Sequence, residues 1–424
     1  MCGLRALTRR TEYNLGGDDR FGSKADICGA TSHVCLTPDS DRESGFPRKV
    51  MSALPPKADI CVAARDFRFG PTADMSKVFR ATAIGLASLL SAGIVMKLPR
   101  RQFLSLAAGV TASTATTASG LALAQPAPAV RAKGPPVWLD MDQKELDDAY
   151  DQFVYAPNAR QVIARCHRNS ELVRERLGAP KRLAYGLTPI EALDIYSAKT
   201  ENAPINIFVH GGAWRAEVAA GSASQAEMLV NAGAHLVVLD FNNVIETGGD
   251  LMTMANQVRR GVVWVYKNAK SFGGDPERIY ISGHSSGGHW VGVLLTTDWQ
   301  KDFGVPPTMI KGGVAGSGMF DLKPVRLSAR SNYIKFTDEA EETLSAERHL
   351  DKLVAPVAVV YGTAETPEFQ RQSRDFAAAV QTAGKLASLS VMEGYNHFEV
   401  WEQLANPYSF FGRAVLNQMK LRPT

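Results

Sequence analysis

The pentapeptide Gly283-His-Ser-Ser-Gly287 constrains the fold more than any other stretch, because Gly-x-Ser-x-Gly is typical of a serine on a sharp turn between a strand and a helix, a nucleophile elbow. An apolar, β-branched run at 278–282 precedes it, and a helix-compatible run at 287–296 follows it. The glycines allow the tight turn, and the helix start offers free N–H groups to a developing anion. Ser285 is therefore the candidate nucleophile. An ordinary Gly/Ser-rich turn has the same pattern, so other segments must supply a base, an acid and an oxyanion hole.

The charge and cysteine content of the chain narrow the possible functions. Its 47 Lys and Arg residues against 43 Asp and Glu give a net charge of +4, and no basic stripe with interleaved aromatic residues occurs, so no nucleic-acid partner is indicated. Four of the five cysteines lie in residues 1–61, which leaves Cys166 alone in the rest of the chain. One cysteine can form neither an internal disulfide nor a zinc site. We expect no metal or organic cofactor.

The first segment, residues 1–95, lacks sustained apolar periodicity as far as about residue 77, contains a short internal repeat, and ends in an uncharged apolar run at 81–95 that is short for a membrane span. Lys24-Ala-Asp-Ile-Cys28 recurs as Lys57-Ala-Asp-Ile-Cys61, which is too small a repeat to build a solenoid. We interpret residues 1–95 as a non-structural extension or as the product of a start codon assigned too early, with initiation at Met96 or Met75. The alternative is a metal- or redox-sensing cysteine module, although the cysteines form no C-x-x-C pair.

Residues 96–124 have the features of a twin-arginine signal peptide. Arg100-Arg101-Gln-Phe-Leu104 precedes a weakly apolar stretch at 106–124 that ends in Ala122-Leu-Ala124, a small-x-small cleavage pattern. The sequence therefore predicts a periplasmic or secreted protein whose partner during export is the twin-arginine machinery. In the alternative, the uncleaved apolar segment remains as a membrane anchor, which its many Thr, Ser and Gly residues disfavour.

After a linker at 125–141, residues 142–424 alternate between strand and helix patterns. A charged helical segment at 142–177 comes first, and two early strands at 183–187 and 192–196 follow it. Further strands are predicted at 205–209, 235–241, 278–282, 312–316, 357–361 and 386–392, and helices at 222–232, 252–270, 287–296, 367–383 and from 398 onward. This alternation predicts an α/β fold with a mostly parallel central sheet, helices on both faces and an N-terminal helical extension.

His397 is the best candidate for the general base. It follows the last predicted strand, and parallel strands deliver such residues to their carboxyl edge. The other histidines of this region are His167, His210, His235, His284, His289 and His349. His284 and His289 are too close to Ser285 in sequence to swing over it, His235 begins a buried strand, and His167 and His349 lie in charged helical segments.

The acid is expected between the serine and the histidine, since α/β hydrolases run Ser, then Asp or Glu, then His. Glu365 is the best candidate because it follows an apolar strand that breaks at a glycine. Glu368, one helical turn later, competes with it, and Asp321 fits a structural loop carboxylate better. Glu365 could also be a salt-bridging residue at a helix start.

The oxyanion hole is predicted from the loop His210-Gly-Gly-Ala-Trp214, which follows the strand at 205–209. Such a loop supplies one backbone N–H, here that of Gly211 or Gly212, and the residue after the nucleophile, Ser286, supplies the second. The two glycines could also form an ordinary turn.

Five motifs after residue 142 are typical of one enzyme family: Ala149-Tyr-Asp-Gln152 with Arg176-Leu-Gly178, His210–Arg215, Gly283–His289, Glu365–Ser373 and Asn396–Phe398. With them the chain resembles the kynurenine formamidase (arylformamidase) branch of the α/β hydrolases. The resemblance implies the α/β-hydrolase fold and a triad of Ser285, Glu365 and His397. The family position that matches Glu365 is usually Asp, so the carboxylate here lies one methylene further from the backbone.

These residues and motifs together predict a serine hydrolase that cleaves a small carboxylic ester or an aryl formamide or amide through an acyl-enzyme. Trp214, Trp290 and Phe398, with Phe320 and Tyr333, could line an aromatic pocket, although aromatic residues mostly pack in cores. Two alternatives remain: a broad-specificity exported carboxylesterase that does not act on formylkynurenine, and a non-catalytic binding protein on a hydrolase fold. The oligomeric state cannot be deduced from the sequence.

Overall fold

The computed structural model describes residues 131–423, so the predicted extension at 1–95, the signal peptide at 96–124 and the first part of the linker lie outside the described residues. A short antiparallel pair, β1 (Pro136–Trp138) and β2 (Met141–Asp142), comes first. The strands that follow are β3 (Lys181–Ala184), β4 (Ala192–Tyr196), β5 (Ala203–Val209), β6 (His235–Leu239), β7 (Gly274–His284), β8 (Ile310–Gly316), β9 (Val357–Gly362) and β10 (Leu386–Met392).

Helices separate these strands along the chain. The helices are α1 (Gln143–Ala149), α2 (Gln152–Tyr155), α3 (Ala159–Leu177), α4 (Ala226–Asn231), α5 (Leu251–Asn268), α6 (Ser286–Leu295), α7 (Trp299–Phe303), α8 (Lys323–Leu327), α9 (Asp338–Leu344), α10 (Pro367–Thr382), α11 (His397–Glu402) and α12 (Phe410–Gln418). Short 3₁₀ helices complete the connections; the one that bears on the site is Ala329–Asn332. No helix in residues 131–423 is long and apolar enough to cross a membrane.

Eight strands form one sheet in the order β10-β9-β8-β7-β5-β6-β4-β3. The strands from β10 to β6 in that order run parallel, and β3 and β4 add an antiparallel hairpin at one edge. The predicted mostly parallel sheet with helices on both faces is confirmed, as is the α/β-hydrolase fold. Because the strands are parallel, the carboxyl ends of β5, β7, β8 and β9 meet at one edge of the sheet.

The central strands β5, β6 and β9 are buried on both faces, which explains their apolar sequences, whereas the edge strands β3 and β10 are largely exposed. Every residue of β5 is buried: Ile205, Ile207 and Val209 pack into the larger core, whereas Phe208 packs into the smaller core on the other face. Parallel strands covered on both sides have this composition because neither set of alternating side chains meets water. One polar pair is buried with them, where Ser282 Oγ donates to Asn206 Oδ1 at 2.7 Å.

Most element bounds differ by a few residues from the sequence prediction, and two of the larger differences are those of β7 and α4. β7 begins at Gly274, four residues before the strand predicted at 278–282, because its first residue pairs with Ala203 at the start of β5. The helix predicted at 222–232 is shorter, as α4 follows a 3₁₀ turn at Ala219–Gly221. The start of β7 is thus decided by pairing with a neighbouring strand and not by its local sequence.

The N-terminal helical segment packs against the C-terminal part of the domain. Arg165 on α3 forms a two-fold ion pair with Glu402 on α11, at 2.6 and 2.9 Å. Asn158, which precedes α3, donates to Glu399 Oε1 at 2.7 Å and accepts from Asn396 Nδ2 at 2.8 Å. The segment therefore fixes the helix that begins with His397.

Candidate active site

Ser285 lies on a strained turn between β7 and α6. Its backbone adopts φ 60° and ψ −126°, a region that costs a non-glycine residue about 1 to 3 kcal/mol. Two hydrogen bonds hold this conformation: Ser285 N donates to Gly316 O at 2.9 Å, and His289 N donates to Ser285 O at 3.0 Å. Such strain persists only where the surroundings fix it, and here it presents the Ser285 side chain to a cavity.

The glycines of the motif are required because the turn passes very close to other backbone atoms. A Cβ on Gly283 would lie 2.3 Å from Gly287 O, and a Cβ on Gly287 would lie 2.0 Å from Val209 O, at the end of β5. Neither approach is possible with a side chain. The Gly-x-Ser-x-Gly pattern is therefore a packing requirement of the turn.

A buried carboxylate contacts the candidate base. Glu365 Oε2 lies 2.8 Å from His397 Nδ1, and both side chains are almost fully buried. The second oxygen, Oε1, accepts from Ser317 Oγ at 2.6 Å and from Gly362 N at 2.7 Å. Glu365 follows the end of β9, and Ser317 follows the end of β8. The carboxyl edge of the sheet thus brings the acid and its hydroxyl partner together.

His397 is the first residue of α11, not a loop residue as its sequence position indicated. Asn396 Oδ1 caps the helix by accepting from Phe398 N and Glu399 N, and the Glu399 carboxylate accepts from Asn396 N in return. This capping box sets the direction of the first turn. His397 therefore has a fixed backbone rather than a mobile one.

The competing carboxylates are engaged elsewhere. Glu368 accepts from Tyr150 Oη at 2.9 Å and from Arg371 at 2.7 and 2.8 Å. Asp321 pairs with Arg348 at 2.7 Å. Neither contacts His397, so Glu365 is the carboxylate that the structure joins to it.

Burial favours the neutral form of both His397 and Glu365. Burial, assisted by the nearby Arg330 cation, lowers the pKa of His397. Burial raises the pKa of Glu365 to about 7, while the bond from Ser317 opposes that rise. Desolvation disfavours charge on any buried group, which explains both directions. A neutral imidazole at neutral pH is the form that can accept a proton.

The other histidines have structural partners. His289 bridges Trp214 Nε1, at 3.3 Å, and Leu344 O, at 3.0 Å. His235 accepts from Ala198 N at 3.0 Å, and His167 lies 2.8 Å from Glu217. The ring of His284 lies 4.5 Å from that of His397, and burial lowers its pKa well below the usual value.

The predicted oxyanion loop lies beside Ser285. A Cβ on Gly211 would be 3.2 Å from Ser285 Cβ, and Gly212 has φ 93°, in the left-handed region. Trp214 N donates to Ser286 Oγ at 3.2 Å, which ties the loop to the start of α6. Ser286 N is the first N–H of that helix and has no partner within it. The loop and the helix start converge on one side of Ser285.

Ser285, His397 and Gly211 line one cavity of about 450 Å³. Phe398 and Tyr333 contribute to its wall, as the sequence suggested. Trp214, Trp290 and Phe320 do not, which corrects their assignment: each is at most 2% exposed and packs in the core behind the site. Aromatic residues from the N-terminal segment and α11 take their place, namely Tyr150, Phe153 and Trp401.

Comparison with known proteins places the chain in a family. The kynurenine formamidase of Danio rerio is 30% identical over 295 residues, which cover 66% of this chain and 98% of that protein. The chain belongs to the kynurenine formamidase-like branch of the α/β hydrolases. The kynurenine formamidase of Salmo salar is 29% identical over 296 residues, with the same coverage of 66% and 98%. The BD-FAE family model matches residues 193–380.

Solved structures and plant relatives agree with this family assignment. A proposed thioesterase from Silicibacter sp. is 27% identical, with a TM-score of 0.55 over 63% of this chain and 97% of that one. An isoprenylcysteine alpha-carbonyl methylesterase of Arabidopsis thaliana is 26% identical over 246 residues, or 53% of this chain and 57% of that protein. This member of the formamidase-like branch is a hydrolase enzyme.

The sequence did not reveal Ser317, Tyr150 or Arg330 as parts of the site. Ser317 had one usable signal, since it directly follows a predicted parallel strand next to that of Ser285. Tyr150 and Arg330 come from segments far apart in the chain that meet only in the fold. Among residues 131–423, no group of three or more His, Cys, Asp or Glu side chains could hold a metal ion.

Proposed function

We propose that the protein cleaves a small carboxylic ester or an aryl formamide through an acyl-enzyme formed on Ser285. One observation carries the proposal. Glu365 contacts His397 at 2.8 Å in a buried pair, and His397 lines the same cavity as Ser285 on its strained turn. An acid that orients a histidine, beside a serine on a nucleophile elbow, is the arrangement that activates a hydroxyl group.

The proposed reaction begins with proton transfer. His397 donates its Nδ1–H to Glu365, so its Nε2 carries the free lone pair and accepts the Ser285 proton as Oγ attacks the carbonyl carbon. The N–H groups of Gly211 or Gly212 and of Ser286 stabilise the oxyanion. The imidazolium then protonates the departing alcohol or amine. Water, deprotonated by His397, attacks the acyl group and releases the carboxylic acid and Ser285.

The choice between formamides and wider esters rests on the wall of the cavity. Phe153, Phe398, Tyr333 and Trp401 offer apolar surface to an aromatic leaving portion, and kynurenine formamidases are among the relatives. The alternative is a broad-specificity carboxylesterase, which the relatedness to methylesterases supports. The ratio of kcat/KM for an aryl formamide to that for a simple aryl acetate distinguishes the two.

Replacement of Ser285 tests the mechanism. Ser285→Ala is expected to abolish hydrolysis of p-nitrophenyl acetate and covalent labelling by a fluorophosphonate probe. Ser286→Ala is the matched control, because it keeps the backbone N–H and removes only a hydroxyl group that accepts from Trp214 N. Labelling of Ser285→Ala at the rate of the unchanged protein would contradict the proposal.

We also propose that the enzyme acts in the periplasm after twin-arginine export. Support comes from Arg100-Arg101-Gln-Phe-Leu104 and the small-x-small pattern that ends at Ala124. Replacing both arginines by lysine keeps the charge but removes the motif, so the precursor should accumulate in the cytoplasm. Cell fractionation and N-terminal sequencing of the mature protein measure this. A protein that begins at Gln125 supports the proposal, whereas export of the lysine variant at normal yield would contradict it.

A further inference from the structure

Arg330 places a buried cation in the wall of the cavity. It lies in the 3₁₀ helix Ala329–Asn332, is 7% exposed, and lines the cavity together with Ser285 and His397. An arginine stays charged in any protein environment. Burying that charge is costly unless a partner compensates for it.

The hydrogen bonds of this guanidinium leave it incompletely satisfied. Nη2 donates to Tyr150 O at 2.9 Å, and Nη1 donates to Tyr333 Oη at 3.3 Å. Its Nε–H is buried and has no partner, and no carboxylate of residues 131–423 forms an ion pair with it. Arg371, by contrast, lies between Glu368 and Asp375. Arg330 is therefore a cation with a donor still free.

Aromatic rings surround the same guanidinium. Its central carbon lies 5.5 Å from the ring centre of Trp214 and 6.0 Å from those of Tyr150 and Phe369. These faces stabilise the cation without neutralising it and exclude water around it. An anion bound at Arg330 would accept hydrogen bonds from the planar guanidinium group. Because the surroundings of this group are partly desolvated, such charge-assisted hydrogen bonds are strong.

We propose that Arg330 binds a carboxylate of the substrate, so that the preferred ester or formamide is an anion. The inference rests on the proposed hydrolysis at Ser285 and names the substrate class of the same cavity. A singly charged carboxylate fits better than a phosphate dianion, because the carboxylates of Asp147, Asp151 and Glu217 also line the cavity and would repel further negative charge.

The position of Arg330 also couples substrate charge to the base. The Arg330 cation contributes to lowering the pKa of His397. A bound carboxylate would neutralise that cation and make the histidine more basic as it takes the Ser285 proton. An anionic substrate would thus gain both binding and a stronger base.

The test compares substrates that differ only in charge. The three acetoxybenzoates carry a carboxylate on the leaving phenol, and the three acetoxybenzamides carry a neutral group of similar size there. The ortho, meta and para isomers place that group at different distances from the ester, and so test which distance fits the separation of Ser285 and Arg330. The unchanged enzyme should prefer at least one acetoxybenzoate over its amide. Arg330→Gln should lower that preference in kcat/KM by about 10- to 100-fold, the effect of one lost charge-assisted contact.

Two variants separate charge recognition from damage to the fold. Arg330→Lys keeps the cation and should retain part of the preference. Arg215 is an exposed cation that lines the same cavity, with its guanidinium carbon 4.6 Å from the centre of the Tyr333 ring. Arg215→Gln should change the preference for the acetoxybenzoate less than about threefold, because exposed charges are screened by solvent and salt. Equal losses on both substrate sets in Arg330→Gln would overturn the proposal, as would the absence of any preference in the unchanged enzyme.

A binding measurement keeps this test independent of the proposed chemistry. Calorimetry measures how tightly the enzyme binds the hydroxybenzoates and hydroxybenzamides, which have no ester bond to be cleaved. A hydroxybenzoate should bind more tightly than its amide, and Arg330→Gln should remove the difference. If the enzyme cleaves neither substrate set, the proposed function fails while this result still supports or refutes the role of Arg330.

Discussion

Glu365→Gln should abolish most activity by reversing the tautomer of His397. Glu365 Oε1 accepts two hydrogen bonds, from Ser317 Oγ and Gly362 N, and Oε2 faces His397 Nδ1. An amide has only one acceptor oxygen. Because Gly362 N can only donate, the glutamine oxygen must occupy the Oε1 position. Its NH₂ group then faces Nδ1, which becomes an acceptor, and the imidazole proton moves to Nε2, where it blocks acceptance of the Ser285 proton.

The expected size of this effect follows from what is lost. The equivalent carboxylate-to-amide change in a serine protease triad lowers kcat by about ten-thousand-fold through the wrong tautomer. We expect a loss of about a thousand- to ten-thousand-fold in kcat here, which corresponds to about 4 to 5.5 kcal/mol of transition-state stabilisation. Since burial already disfavours the Glu365 charge, the neutral amide should not unfold the domain. Steady-state hydrolysis of p-nitrophenyl acetate measures the loss.

Glu368→Gln is the matched control. Glu368 is equally buried and lies one helical turn later, but it contacts Tyr150 and Arg371 instead of His397. That variant should lose stability, because Arg371 is left with one buried partner fewer, and keep kcat within about tenfold. The assignment of Glu365 as the acid would be refuted if Glu365→Gln kept kcat within tenfold while Glu368→Gln lost most of it.

Three further predictions follow from the same contacts. Ser317→Ala removes the 2.6 Å bond that opposes the raised pKa of Glu365, so kcat should fall about tenfold and the acid limb of kcat/KM should shift to higher pH. Because burial lowers the pKa of His397, protonation of this base should not set the acid limb; protonation of Glu365, whose pKa burial raises to about 7, should set it, so kcat/KM of the unchanged enzyme should fall to half its maximum near pH 7, and a midpoint well below that value would contradict this assignment. Gly212→Ala should lose activity by displacing the oxyanion loop, since its Cβ would lie 2.2 Å from Ala216 O, and a normal kcat would exclude Gly212 from that role.

Much of the fold was predictable because the central parallel strands β5, β6 and β9 are buried throughout and are therefore almost uniformly apolar. The bounds of β4 and β10, at the two sides of the sheet, were also predicted as the structure has them. The predictions failed at element ends, such as the start of β7, where pairing with Ala203 extends the strand to Gly274, beyond its predicted apolar run. Local sequence describes what a segment prefers, whereas the neighbouring strand decides how far it extends.

The site was predictable only where its residues follow a local pattern. Ser285 and the glycines around it belong to one tight turn, so their spacing is fixed by sterics and visible in the sequence. Arg330 and Tyr150 meet through a side-chain to backbone bond between segments far apart in the chain, which no spacing rule describes. The tryptophan assignments failed for a related reason, because hydrophobicity alone does not distinguish a cavity wall from the core behind it.

The departure from Asp at the acid position has a geometric explanation. Glu365 lies in the turn after β9, where Glu365 N donates to Gly362 O at 3.3 Å, and its longer side chain folds back so that Oε1 also meets Gly362 N. Ser317 Oγ fixes the same oxygen from β8, so the additional methylene does not leave the carboxylate free to move. Glu365→Asp should therefore keep the charge but lose either the contact with His397 or the bonds to Ser317 and Gly362, because a shorter side chain cannot span both. A kcat equal to that of the unchanged enzyme would show that the backbone adjusts instead.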